Sequence, residues 1–478
     1  MALPRSDPFA SLADPHLSPG DRAQFDREYA AGCEAESQGR LADAAQAFER
    51  AAKFDAHYPE LHFRWAECLA RMTNFAAAQS HFQRACDDDA LPFRADTRIN
   101  DAIRRVGRQC TGDRFVFFDA AAALAADAPS GVCGQETFYE HVHFNFDGNY
   151  RLGRAWAAQV ERWLPAGISH GAQTNGWASQ EAAGQRLALS DWNRCAVVET
   201  VADRLTRPPL SGQLNNTQRL DALRAEARAL RRRMNPDSAA AAAKMYQAAI
   251  SRSPDDPWLH ENFAEFLETV RDVDHALIEW RQVCTLLPHD CAAFYQTGRL
   301  LSERERWSDA EAALSTAVAL RPRLTEGWYE LGNVHLGSGR FDLALQNYRR
   351  AAALEPADAT YCAYVGKALS KLGRHDEAIA QYRRAIALQS DLWEAHFALG
   401  DELVAVEKIA DAQGEYEAVL RYAPTNVLAH LNVGVMLARR GRYDDALRQF
   451  EETLRLQPGN QQAREYYDRV QAWKNRPR

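Results

Sequence analysis

In the stretch GWYELGNVHLGSGRFDLALQNYRRAAALEP, residues 327–356, apolar positions fall at helical spacing twice over. Trp328, Leu331, Gly332, His335 and Leu336 share one face of a first helix, the polar turn GSGRFD follows, and Ala344, Leu345, Tyr348 and Ala351 stripe a second. Pro356 then stops the run, because proline cannot continue a helix. The pattern predicts an antiparallel pair in which Gly332 and Ala344 let the backbones come close, while Trp328 and Tyr348 fill the gap to the neighbouring pair. Each such pair leaves apolar surface uncovered and must stack on another.

The unit recurs. Pro254, Pro288, Pro322, Pro356, Ser390, Pro424 and Pro458 stand 34 residues apart, and Ala264, Gly298, Gly332, Gly366, Gly400 and Gly434 keep the same step. So do Ala242, Ala276, Ala310, Ala344, Ala378, Ala412 and Ala446. This period, with its W…LG…Y…A…F…A…P spacing, resembles the tetratricopeptide repeat family. The resemblance implies an α-solenoid, a right-handed superhelix of helical hairpins whose first helices line a groove that receives peptides.

Six full repeats are read at 257–460, beginning at Pro257, Cys291, Thr325, Ala359, Trp393 and Val427. A capping helix at 461–478 brings Tyr466, Tyr467 and Trp473 over the last hairpin, and an irregular leading hairpin occupies 220–256. Upstream, behind an N-terminal segment 1–24, the pattern returns in two units at 25–92. Gly32, Ala44, Phe48 and Ala51 mark the first; Trp65, Ala66, Ala78, Phe82 and Ala85 mark the second.

Between the arrays the period is lost. Residues 93–165 read as a partial α/β element: a helix from Ala95 to Arg105, a short buried strand RFVFFD at 114–119, a helix AAAALAA, and a helix whose Leu152, Trp156, Val160 and Trp163 share a face. Residues 166–219 read as a helical connector and linker, with Ser179 capping one helix, Ser190 or Asp191 another, and Pro208-Pro209 ending the run. The expected fold class is mostly α, with a small α/β insert.

Composition narrows function. A net charge of −8 and a pI near 6.0 give no electrostatic reason to bind nucleic acid, and the one dense basic run, Arg231 to Arg233, reads as a solvated helix face. Nine scattered cysteines without a CxxC pair argue for reduced, buried residues and against a zinc ribbon. No stretch has the length of a membrane span or signal peptide, so a soluble, cytoplasmic protein is expected.

One segment looks reactive. In FYEHVHFNFDGNY, residues 138–150, Glu140 stands three before His143, and Asn145 and Gly148 follow before a helix. This resembles the C-terminal element of the SGNH, or GDSL, hydrolases, although that family usually has Asp where Glu140 stands. The resemblance implies an ester hydrolase or deacetylase with His143 as base and Glu140 as its orienting acid, since a histidine that takes a proton from serine needs a carboxylate to fix its tautomer. No GDS-like serine precedes it, which implies a remnant, a truncated product or a start further upstream. His141 and His143, with Glu140 and Asp147, can also ligate a divalent metal, but no second cluster completes four ligands. Packing without such ancestry is the remaining reading. No cofactor and no metal are expected.

Stepping by 34 along the first helices gives two rows on the expected inner face: Tyr295, Tyr329, Ala363 and Phe397, and one turn on, Arg299, Asn333, Lys367 and Asp401. Trp258 and Glu261 extend them. Rings supply contact area, and Arg299, Asn333 and Lys367 can hold backbone carbonyls or an acidic group, which suits an extended peptide or protein partner. The alternative is that the rings fill contacts between hairpins and the polar row is only solvated. The expected function is a scaffold for protein–protein interaction; oligomeric state is left open.

Overall fold

A computed structural model describes residues 8, 10–90, 95–110, 115–128, 131, 133–134, 137–139, 143–164 and 177–475. The chain divides into two compact units, residues 1–252 and 253–478.

In the second unit six helical hairpins follow one another: Pro257–Thr269 with Val273–Leu286, Cys291–Glu303 with Trp307–Leu320, Thr325–Gly337 with Phe341–Leu354, Ala359–Lys371 with His375–Leu388, Trp393–Ala405 with Ile409–Tyr422, and Val427–Arg439 with Tyr443–Leu456. Gln461–Lys474 closes the series. Many first helices start on a side-chain cap, which satisfies backbone N–H groups the helix itself cannot. Asp256, Asp290, Asp358, Asn426 and Asn460 each accept from an N–H two or three residues on. The turns inside the hairpins hold one residue in the left-handed region: Arg271, Glu305, Gly339, Gly373, Glu407 and Gly441. These also fall 34 residues apart, so the turn geometry repeats even where glycine does not.

Close approach within a hairpin rests on a small residue facing a large one sixteen positions later. A Cβ added at Gly332 would lie 2.3 Å from the Tyr348 ring, at Gly400 2.7 Å from Tyr416, and at Gly434 2.6 Å from Phe450. Gly298 meets Leu314 in the same way, and Gly366 meets Tyr382. Tyr348 therefore fills its own hairpin first. It also reaches the next hairpin, with its ring 5.3 Å from Tyr364. Trp328 is half-buried, and its indole N–H donates to the Pro322 carbonyl at 3.0 Å. A continuous apolar cluster runs from Ala344 to Val470 and binds the third to sixth hairpins and the closing helix to one another.

The first unit opens with two hairpins of the same construction, Pro19–Ser37 with Leu41–Ala51 and Pro59–Arg71 with Phe75–Asp87. Gly32 packs on Phe48 as Gly332 does on Tyr348. Helices Thr97–Gln109, Ala120–Ala126, Phe146–Glu161, Gln180–Arg186, Asp191–Leu205, Asn216–Arg233 and Pro236–Arg252 follow. Of these, Asn216–Arg233 buries Leu223, Ala227 and Leu230 against Cys195, Val198 and Leu205 of the helix before it.

The expected α/β insert is not formed. Among the described residues there is no β-strand, and Phe138 and Phe144 form an isolated antiparallel bridge. Residues 115–119, the described part of the expected strand, run without a ladder, and Phe115 and Val116 are exposed rather than buried. β-propensity marked these residues, but a strand needs a partner for its N–H and C=O groups, and among the described residues none pairs with them. No helix among the described residues is long and apolar enough to cross a membrane.

Candidate functional site

The row of first helices in the second unit gathers most residues singled out from the sequence. Neighbouring first helices touch directly: the Tyr329 ring lies 4.8 Å from Tyr364, and Arg299 reaches Glu268 of the preceding hairpin. Trp258 is 63% exposed, so its ring is free of the core. Glu261 and Tyr295 are half-buried.

The polar row differs from expectation in its partners. Arg299 donates to Gln296 at 2.8 Å and to Glu303 at 2.6 Å, besides its contact with Glu268, so its charge is met within the protein. Asn333 accepts from the Tyr348 hydroxyl at 2.8 Å and donates to Glu330 at 3.2 Å. Asp401 accepts from the Tyr416 hydroxyl at 2.6 Å. Lys367 is exposed, with its ammonium 5.3 Å from the centre of the Tyr364 ring. The aromatic row is engaged too. Tyr329 sits among Tyr348, Tyr361 and Tyr364, and Phe397 stands edge-on to Tyr416 at 5.5 Å. These rings join hairpins as well as present a surface.

Four carboxylates on this face are raised above their ordinary values. Burial, then Glu265 and Asp290, push the Glu261 carboxyl above its ordinary range. Burial, then Glu268, do the same to Glu265. Glu330 is raised by burial against the opposing pull of Asn333 and Arg299. Asp401 is raised by burial and by Glu402, although Tyr416 donates to it. Glu265 and Asp401 are exposed. Neighbouring helices still strip part of the solvent from their carboxylates, which accounts for the direction of the shift.

Glu265 was within reach of the sequence, because it stands 34 residues before Arg299 in the same row. Glu268 and Glu330 were not, since their importance lies in cancelling Arg299 and crowding Asn333 across helices.

Of the hydrolase-like element, Glu140 and His141 lie outside the described residues. Around them the chain doubles back: the Tyr139 N–H donates to the His143 carbonyl at 2.9 Å, and the Asn145 N–H to the Thr137 carbonyl at 3.0 Å. His143 is exposed. Asn145 caps helix Phe146–Glu161 by accepting from the Gly148 N–H at 2.8 Å. Gly148 has no room for a side chain, because a Cβ would lie 2.1 Å from the Thr137 carbonyl oxygen. Among the described residues no group of three or more His, Cys, Asp or Glu is placed to hold a metal ion.

The stacked hairpins define a helical repeat array. A family model for the tetratricopeptide repeat matches residues 295–359 and 397–461, and a TPR repeat model matches 366–405; this part of the chain carries tetratricopeptide repeats. Protein bimA of Emericella nidulans is 32% identical over 89 residues, which are 19% of this chain and 11% of that protein. The crystal structure of YrrB, described as a TPR protein with an unusual peptide-binding site, is 22% identical with a TM-score of 0.34, covering 40% of this chain and 97% of that one. The C-terminal part of a TPR repeat-containing protein from Cytophaga hutchinsonii is 15% identical with a TM-score of 0.41, covering 48% of this chain and 94% of that one.

Proposed function

We propose that the second unit is a scaffold for protein–protein interaction, and that the face of its first helices takes an extended peptide with a basic character. The observation that carries this reading is the charge balance. Arg299 is spent on Glu268 and Glu303, while Glu261, Glu265, Glu330 and Asp401 are held above their ordinary carboxylate range. A cation placed among such groups relieves their repulsion, whereas an acidic ligand adds to it. Trp258 offers an exposed ring for the aliphatic stem of a lysine or arginine.

Fluorescence anisotropy with a labelled, extended Lys/Arg peptide and its Glu counterpart tests this. The basic peptide is expected to bind and the acidic one not. Glu265→Gln with Glu330→Gln should weaken binding by about 1 kcal/mol for each charge removed, roughly fivefold apiece. The pH dependence has a definite sign: raised carboxylates take up protons above the range of ordinary surface ones, so affinity should fall as pH drops into that elevated range. Preference for the acidic peptide would defeat the reading. Tyr329→Ala is a poor probe here, because that ring also supports Tyr348 and Tyr364.

A second reading, an SGNH-type ester hydrolase using His143 and Glu140, draws on one local feature. His143 is exposed two residues ahead of Asn145, the cap of helix Phe146–Glu161, where a substrate can reach it. Under this reading the protein turns over p-nitrophenyl acetate and His143→Ala abolishes the turnover. No activity above the buffer rate, or activity that survives the substitution, removes it.

A further inference from the structure

In the first unit, Tyr139 packs on the apolar cluster shared by helices Asp191–Leu205 and Asn216–Arg233. Arg219, itself buried, fastens that contact by donating from Nη2 to the Tyr139 carbonyl at 2.8 Å. Phe138 and Tyr139, the start of helix Phe146–Glu161 and this helix pair border a cavity of about 290 Å³. That is close to the lower end of the range for small-molecule sites, roughly 300–1,000 Å³. Phe138, Ala222 and Leu223 give the cavity an apolar wall.

Charges of both signs line the same space. Elsewhere the two helices pair their facing charges, Glu199 with Arg231 at 2.6 Å and Asp191 with Arg233 at 2.8 Å. At the cavity they do not. Arg194 lies with its guanidinium 5.0 Å from the centre of the Phe146 ring, and Glu226 is exposed. Among the described residues neither side chain has an ion pair or a hydrogen bond, although both line the cavity. Both act on the Tyr139 hydroxyl: burial, then Glu226, push it up, and Arg194 pulls against them. The phenol therefore keeps its proton and can donate it in a hydrogen bond. Asp147, at the same cavity, already accepts from Gln180.

We propose that this cavity binds a free α-amino acid with an apolar side chain, its carboxylate on Arg194 and the Tyr139 hydroxyl and its ammonium on Glu226. A guanidinium fork takes a carboxylate through two parallel N–H bonds. Opposite charges that share a cavity without meeting are both satisfied by a ligand carrying both signs. A plain carboxylate meets repulsion from Glu226, and a plain amine meets it from Arg194. A chain end fits less well, because it carries only one of the two charges beside its last side chain. The apolar wall receives the side chain of the amino acid. This inference rests on neither of the readings above.

Calorimetric titration of the full chain with leucine, methionine and phenylalanine tests the proposal. The controls are 3-phenylpropanoate, which lacks the ammonium, phenylalanine amide, which lacks the carboxylate, and N-acetylphenylalanine, which mimics a chain end. At least one of the three amino acids is expected to bind, and the controls to bind more weakly by about tenfold or more. Glu226→Gln changes an exposed side chain, so the circular dichroism should stay as it is. It should weaken the amino acid by about tenfold or more and leave 3-phenylpropanoate no weaker. Arg194→Gln should weaken both. Binding by none of the three amino acids overturns the proposal. Equal affinity for any control does so too, since it would mean a site for one charge or for a chain end. Full affinity retained in Glu226→Gln has the same consequence.

Discussion

Gly332→Ala is expected to destabilise the hairpin 325–354 by about 2 kcal/mol, and Gly332→Val by more. Alanine in place of glycine normally favours a helix by about 0.5–1 kcal/mol. At this position the new Cβ would stand 2.3 Å from the Tyr348 ring. That ring has little room to move: it is fully buried, its hydroxyl is tied to Asn333, and Tyr329 and Tyr364 pack against it. Overpacking of a closed site costs about 1–3 kcal/mol, which outweighs the propensity gain. The hairpin 257–286 shows what relief would require. There Ala264 replaces the glycine, and the facing residue is Trp280, whose indole is drawn away by a hydrogen bond to Glu268 at 2.7 Å. Gly414→Ala is the internal control, because that helical glycine has nothing within 4 Å and should gain stability. Opening free energies from native-state hydrogen exchange should therefore move in opposite directions for the two alanines. Equal signs would mean that Tyr348 is free to shift, and the packing account of the repeat would fail.

The difference between what was legible and what was not follows the range of the interactions. The hairpins were legible because their geometry is local and reiterated: a glycine, a ring sixteen residues later and a stop after the second helix recur at one step. Tyr348 was placed at the boundary between hairpins, yet its main contact is Gly332 in its own. Apolar periodicity says that a side chain is buried without saying against which neighbour. The segment RFVFFD misled for the opposite reason. Its residue types are those of a strand, but a strand is a property of two segments, and among the described residues none pairs with it. The groove was legible as a row and not as a charge. Arg299 reads as a free cation in sequence, and only the fold brings Glu268 of the previous hairpin against it.

His260→Phe is expected to cost about 3 kcal/mol, and adding Glu279→Ala should recover most of it. His260 begins a row that sequence reading passed over. Its imidazole Nδ1 lies 2.6 Å from the Glu279 carboxylate and its Nε2 lies 2.9 Å from the Pro254 carbonyl oxygen, so the ring links a second helix to the loop before its own hairpin. His396 does the same with Glu415 and Ser390, and His430 with Gln449 and Pro424. In the first unit His62 lies between Ala56 and His81. There the two imidazole Nδ1 atoms meet at 2.9 Å, and burial, followed by His62, pushes His81 down to about 4. Where the ring has a single donor the partner changes: Trp328 reaches only Pro322, and Asn347 stands opposite. Phe294 stands opposite Ala313. Among the six repeats a carboxylate thus occurs in this place only opposite histidine. Phenylalanine at 260 alone leaves a largely buried carboxylate and a carbonyl without their donor, a penalty of about 1–3 kcal/mol for each group. The double substitution recreates the pair already present at Phe294 and Ala313, and should return stability to within about 1 kcal/mol of the parent, the remainder being the Pro254 carbonyl. Urea denaturation and hydrogen exchange of 257–286 measure both. A double variant no better than the single would show that the histidine acts through its packing and not through the hydrogen bonds it makes.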